Sequence, residues 1–333
     1  MLANDTVKKN SPGSGFLILG PKILSFRNPA PSSYWNCFPK NLVQPAKSLI
    51  NPEELLRLAK ETNFRDKLTL HKIYLDLKVG ANIGCKDPFR APGRASNAPS
   101  AYEEGEKVAD SICDWVKKGF AYGPVKMQDV PPEAKFNGIM TRPKPNGAVR
   151  IILNLSAPKG SSVNDGICSQ DFPAVMSSTT KWLRALNSVG VGALMTKIDW
   201  SDAYKHVPVA RADTELQWFS FAGRAFKELC LIFGGSSSAG IFDRLAKLVL
   251  SIVIKRSGIN PRQVCQHLDD ACAAGSPTSN LIFEFDNQFS EVAKILGIQL
   301  APCSDPDKSF APATEGTILG VHYDTARWNW AKA

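Results

Sequence analysis

The pentapeptide Gln266-His267-Leu268-Asp269-Asp270 sets two adjacent carboxylates between the β-prone run Val264-Cys265-Gln266 and the small apolar run Ala271-Cys272-Ala273-Ala274. Apolar runs on either side of a polar break predict a β-hairpin whose tight turn carries both acids. Two carboxylates held about 4 Å apart repel by on the order of 4 kcal/mol at a protein-like dielectric. A fold that orders them together therefore needs a cation or a proton between them. Taken alone, the pair reads as a solvated acidic turn. A third acid changes that reading: Asp199 ends the strand-like Leu194-Met195-Thr196-Lys197-Ile198-Asp199, and Trp200-Ser201-Asp202-Ala203-Tyr204 follows it. A strand-end Asp facing a hairpin Asp pair is the arrangement of a two-metal phosphoryl-transfer site.

Composition sets the bounds around this core. With 333 residues, 44% of them hydrophobic, the chain can bury a large interior in one elaborate domain or two. The formal charge of +9 favours a polyanionic partner without requiring one. Eight cysteines are scattered with no Cys-x-x-Cys pair, and the four histidines do not fall at zinc-ligand spacing with them. Free thiols in a reducing compartment follow. The N-terminus shows no charged region leading into an apolar core and cleavage site. The longest apolar stretch, Ser238 to Ile254, contains Asp243, Arg244 and Lys247 and reads as a buried helix. The expectation is an intracellular protein of the nucleus or cytoplasm, neither secreted nor membrane-spanning.

Residues 1–48, rich in Asn, Ser, Pro and Gly, are expected to be largely disordered apart from the apolar island Phe16-Leu17-Ile18-Leu19. Asn51-Pro52-Glu53-Glu54 reads as a cap, a first-turn proline and first-turn acids of a helix. Residues 49–100 are thus expected to form a small helical accessory region, closing in a basic, Pro-rich connector from Lys86 to Ser100 that reads as a linker. From Ala101 onward the patterning is denser. Val108, Ile112, Trp115 and Val116 recur at helical spacing up to Gly119. Two strand-like runs, Asn137 to Arg142 and Ala148 to Leu155, flank Pro143-Lys144-Pro145-Asn146-Gly147, whose Asn-Gly is a strong hairpin signal. Lys144 and Arg150 can then project together, either as ordinary surface cations or as a clamp on a triphosphate.

Beyond Asp199, a hairpin from Leu216 to Leu231 turns at Ala222-Gly223. The Gly/Ser loop Phe233-Gly234-Gly235-Ser236-Ser237 opens the buried helix, and Phe283 to Leu296 forms an amphipathic helix ended by Gly297. A loop holding Lys308 and a final strand Thr317 to Tyr323 follow. Strand, hairpin, helix, acidic hairpin, helix, strand is the order of an antiparallel sheet backed by helices on one face, an α+β fold.

These residues carry a family resemblance. From about Ala101 to Trp330 the chain resembles a reverse transcriptase domain, closest to the retroelements that carry a tyrosine recombinase (DIRS-type). Lys144-Pro145-Asn146-Gly147-Ala148-Val149-Arg150 resembles the fingers motif, and Lys197 through Tyr204 resembles motif A. Phe233-Gly234 through Phe242 resembles motif B, His267-Leu268-Asp269-Asp270 motif C, Leu296-Gly297-Ile298 to Lys308 motif D, and Ile318-Leu319-Gly320 the primer grip. Six motifs in order make the signal specific. The fold implied is a right-hand polymerase's fingers and palm over 101–333, with the thumb absent or truncated because the chain stops just past the primer grip.

The resemblance implies roles residue by residue. Asp199 and Asp269, with Asp270 beside them, would hold two Mg²⁺ ions, Mn²⁺ being the alternative. Arg150 and Lys144 would neutralise the incoming phosphates, and the backbone at Asp202 and Ala203 would approach them. Lys308 would protonate departing pyrophosphate, Tyr204 would exclude a ribose 2′-OH, and Phe233 and Gly234 would contact the nascent base pair and template. The implied partners are an RNA or DNA template with primer and deoxynucleoside triphosphates. Where motif C usually begins with Tyr, this chain has His267. Two other readings compete with an RNA-directed DNA polymerase: a degenerate retroelement protein that binds nucleic acid without catalysis, and an interaction protein that keeps only the fold.

Overall fold

The computed structural model describes residues 48–144 and 147–327. The expectations placed on 1–47, on Pro145-Asn146 at the hairpin tip and on 328–333 lie outside those residues.

The chain begins with α1 (Pro52–Glu61) and α2 (Lys67–Val79), then β1 (Gly93–Arg94), α3 (Ser100–Glu103) and α4 (Gly105–Lys117). Strands β2 (Ala121–Lys126), β3 (Lys135–Phe136), β4 (Gly138–Pro143) and β5 (Val149–Asn154) follow. Next come α5 (Thr179–Val189), β6 (Leu194–Asp199), α6 (Arg211–Thr214), β7 (Trp218–Phe221), β8 (Arg224–Glu228) and α7 (Ser238–Ser257). The last elements are β9 (Val264–His267), β10 (Asp270–Gly275), α8 (Leu281–Leu296), β11 (Phe310–Ala313), β12 (Glu315–Ile318) and β13 (Val321–Asp324).

Local chemistry explains most of these boundaries. Asn51 Oδ1 accepts from the N–H groups of Glu53 and Glu54 and so starts α1. Helices α7 and α8 end at Gly258 and Gly297, both left-handed, where a side chain would be strained. The run Thr317 to Tyr323, expected as one strand, is instead the β12–β13 hairpin. Leu319 and Gly320 both have positive φ, and Ile318 pairs with Val321 across them. Two consecutive positive φ values are the signature of the tight turn that matches strand twist.

The strand order β11-β6-β10-β9 forms a four-stranded, fully antiparallel sheet. Alternation along β10 divides its side chains between two cores. Ala271 and Ala273 join the large core with Ile198 of β6 and with α7 and α8, including Phe285 and Phe289. Cys272 and Ala274 join a second core with Met195, with Trp182 and Leu186 of α5, and with Ile318 and Tyr323 of the last hairpin. The expected helices on one face are therefore α7 and α8. Helix α5 adds a cover over part of the opposite face, and the rest of that face carries Lys197, Asp199 and Asp270.

A second sheet, in the order β1-β3-β7-β8-β2, contains parallel pairings at β1–β3 and β3–β7. The basic stretch before α3, read from sequence as a linker, is part of this sheet through β1. The Asn97 carboxamide accepts from the Ile139 N–H at 3.0 Å and donates to the Ser220 carbonyl at 2.8 Å. Arg90 pairs with the buried Asp213 at 2.7 Å. Nor are the first two helices peripheral: α1 packs against α7 and α8, and α2 against α7. Leu55, Leu58, Ile73 and Leu77 belong to the same core as Leu245 and Phe289. Burial of these apolar faces is what fixes both helices to the rest.

Candidate active site

Strand β6 delivers Asp199 as its last residue, and the β9–β10 hairpin brings the acid pair beside it. His267 and Asp270 close a two-residue turn made of Leu268 and Asp269. Leu268 holds φ of 53°, a left-handed conformation that a bulky side chain rarely adopts and that costs roughly 1–3 kcal/mol. The His267 ring nitrogen Nδ1 is 3.1 Å from the Ser177 carbonyl, which anchors the hairpin to the segment before α5. Across the sheet, Asp270 is the direct partner of Asp199, and the Asp269 carbonyl accepts from the Trp200 N–H at 3.3 Å.

Asp199 and Asp269 open into a cleft of about 440 Å³. Lys308, Lys144 and Arg150 line it, as do Asp202, Ala203, Tyr204 and Phe233. Asp199 is nearly inaccessible, its side chain 3% exposed, and its Oδ2 lies 2.6 Å from Lys308 Nζ. Burial raises the Asp199 carboxyl above its ordinary value even so, and the neighbouring Asp269 adds to the rise. Burial works to lower the Lys308 ammonium, but the hydrogen bond to Asp199 and the fields of all three acids raise it on balance. Asp270 turns to a different partner, Lys197 Nζ at 3.7 Å, and burial pushes its carboxyl up to about 6.

A column of rings supports the cleft from the core. Phe242, fully buried, meets Tyr204 edge-on at 5.7 Å; Tyr204 meets Phe233 at 4.9 Å; and the Arg150 guanidinium lies over Phe233 at 4.9 Å. Burial, with a contribution from Asp269, drives the Tyr204 phenol up to about 12, so it stays protonated. Gly234 has φ of 104°, and a Cβ there would collide with the Leu153 carbonyl. Glycine is what lets this loop lie against β5. Asp202 is left-handed as well, which turns the chain sharply after the strand.

The donor set suits a hard cation. Asp199 and Asp269 offer carboxylate oxygens, and the buried Asp199 is opposed by an ammonium where a metal would also neutralise it. Among the described residues no three Asp, Glu, His or Cys groups converge into one metal-holding cluster. A magnesium ion here would take oxygens from Asp199 and Asp269 and complete its shell with water and phosphate, as this ion prefers.

By sequence, no family model and no curated protein matches the chain. Solved structures do match. The crystal structure of prototype foamy virus protease-reverse transcriptase superposes with a TM-score of 0.51 at 16% identity, covering 83% of this chain and 33% of that one. The foamy viral protease-reverse transcriptase dRH in complex with double-stranded DNA gives 0.51 at 16%, over 86% and 48%. The foamy viral enzyme in complex with RNA/DNA hybrid gives 0.51 at 17%, over 83% and 33%. The fold is that of a reverse transcriptase. The chain spans about a third to a half of the length of these viral proteins.

Within this reverse-transcriptase fold, the cleft gathers Asp199, Asp269, Lys308, Lys144, Arg150, Asp202, Ala203, Tyr204 and Phe233. Asp270 and Gly234 stand outside its lining, the first on Lys197, the second supporting the loop behind Phe233. Sequence reading passed over three cations. Lys118, at the end of α4, reaches Asp202 at 3.4 Å and lines the cleft. Lys205 is buried against Glu228 at 2.6 Å with Trp115 below its ammonium at 4.4 Å. Lys197 carried a legible signal, since a residue two before Asp199 on a strand shares its face. Lys205 carried none, because Glu228 is distant in the chain, and for Lys118 the sequence shows only its local partner Asp114, four residues back at 2.8 Å, and not Asp202. His206 was missed too. Its Nε2 faces the Gln299 N–H at 3.1 Å and must accept, so Nδ1 carries the proton toward the Ala203 carbonyl at 3.2 Å. Burial lowers its pKa, which favours this neutral form.

Proposed function

We propose that this chain is an RNA-directed DNA polymerase of a retroelement, of the DIRS-type branch, acting in the nucleus or cytoplasm on a primed template with deoxynucleoside triphosphates. The observation that carries the reading is the convergence of Asp199 and Asp269 on one cleft that Lys144, Arg150, Lys308 and Tyr204 also line. Foamy-virus structures of the same fold hold double-stranded DNA and RNA/DNA hybrid, which supports the same class of partner.

Two magnesium ions, or manganese in their place, supply Lewis-acid activation of the primer 3′-OH and charge neutralisation of the triphosphate when bound. Asp199 and Asp269 would hold the ions, with Asp270 beside them. Arg150, oriented by its stack on Phe233, presents a fork to phosphate oxygens while Lys144 offers a point charge. The N–H groups at Asp202 and Ala203 lie along the triphosphate. Lys308, kept protonated by its acidic neighbours, hands a proton to the leaving pyrophosphate. Tyr204 fills the space that a ribose 2′-OH would need. Phe233 and Gly234 meet the new base pair and the template.

Primer extension on an RNA template with Mg²⁺ tests the reading, with Asp269→Asn as control. The expected result is extension by the wild type and a loss of at least about a hundredfold in the variant, as befits removal of a metal ligand. Template binding without extension by the wild type would favour a non-catalytic nucleic-acid-binding protein instead.

A further inference from the structure

Asp199 is tied at every polar atom but one to the segment that follows Gly297. Its N–H donates to the Ser309 hydroxyl at 3.1 Å, its carbonyl accepts from the Ala301 N–H at 2.8 Å, and its Oδ2 takes the Lys308 ammonium at 2.6 Å. Nearby, the Ser201 N–H donates to the Gln299 carbonyl at 2.8 Å, and Lys197 Nζ donates to the Asp307 carbonyl at 2.9 Å. Most of these ties use main-chain atoms and leave the Asp199 carboxylate oxygens free. Lys308 alone of them takes an oxygen that a divalent cation would need.

We infer that Lys308 is a built-in counter-ion for Asp199, which a divalent cation must displace, so that metal arrival itself frees this lysine for the triphosphate. The inference rests on the assignment of Asp199 to metal proposed above. An ammonium on Oδ2 and a divalent ion on either oxygen of the same carboxylate stand only a few ångströms apart, on the order of 4 Å, and repel strongly. The Lys308 side chain is 48% exposed, whereas that of Asp199 is 3% exposed, so the lysine is the partner free to move. Its way out is the cleft it already lines, where Lys144 and Arg150 also stand. The exchange offsets much of the charge that the incoming ion brings to Asp199. It also ties deployment of the proton donor to metal occupancy.

The test is a Mn²⁺ titration of the full chain, with free ion counted by electron paramagnetic resonance, on wild type, Lys308→Met and Lys308→Arg. Removing the competing ammonium should tighten Mn²⁺ binding about tenfold, the strength of one charge-assisted hydrogen bond, while the arginine variant stays at the wild-type value. In an Asp199→Asn background the methionine substitution should change nothing. Equal or weaker binding by Lys308→Met overturns the inference, as does equal tightening by Lys308→Arg. Circular dichroism checks folding, and Lys308→Gln replaces the methionine variant if that one is unfolded. Primer extension is scored separately: tightened Mn²⁺ binding without any extension by the wild type sinks the polymerase reading and leaves the counter-ion standing.

Discussion

Asp199 and Asp270 are direct cross-strand partners on β6 and β10, yet each carboxylate has its own lysine: Lys308 at 2.6 Å for Asp199 and Lys197 at 3.7 Å for Asp270. Register places the acids on one face of the sheet, and the lysines divide their roles. Asp199 opens to the cleft together with Asp269, while Asp270 is set back from it on a buried cation.

That separation predicts a pH dependence of stability. Burial raises the Asp270 carboxyl from its ordinary 3.8 to about 6, so the folded chain holds this proton more tightly than the unfolded one. Between those two values folding takes up a proton, and stability falls as pH rises through the window. Asp199 shifts in the same direction. In the presence of a chelator, Asp270→Asn should therefore raise Tm by about 2–4 °C at pH 8 and by less than about 1 °C at pH 4. Equal effects at both pH values would show that the substitution acts through packing and not through ionisation.

Tyr204 bridges the buried Phe242 and the exposed Phe233, so it has both a packing role and a face on the cleft. If Tyr204 is the proposed sugar gate, Tyr204→Val should lower discrimination against ribonucleotides by at least about tenfold, because the ring that would meet the 2′-OH is gone. Deoxynucleotide insertion should remain measurable. The quantity to compare is kcat/KM for both sugars in both proteins. Parallel loss for both sugars, with an unchanged ratio, would make Tyr204 a core residue only and remove its proposed role in sugar selection.

The Arg150 guanidinium over Phe233 is a contact between two separate motifs, and it makes their effects interdependent. Arg150→Lys and Phe233→Ala should each raise the KM for deoxynucleotide, by roughly three- to tenfold, since the stack orients the fork. Combined, they should cost less than the sum of the two single effects. A double-mutant cycle on KM measures this directly. Strict additivity would mean that the stack on Phe233 does not set how Arg150 acts on the deoxynucleotide.

Much of this architecture was legible in the chain before folding. Helix α4, the cap at Gly297, the β4–β5 hairpin and the acidic turn all follow from interactions between residues a few positions apart, where period and turn chemistry speak plainly. The end of β6 at Asp199 was equally readable. Other features came only with the tertiary structure. The Pro-rich stretch before α3 reads as a linker until β1 pairs with β3 and Arg90 finds Asp213. Thr317 to Tyr323 reads as one strand until Leu319 turns left-handed. Lys308 on Asp199, Lys118 on Asp202 and Lys205 on Glu228 each join residues far apart in the chain. Such contacts have no local signature, because nothing near a lysine in sequence records which carboxylate the packing of distant elements will bring to it. The elements of this protein are encoded locally; the counter-ion of each cleft acid is decided by how those elements meet.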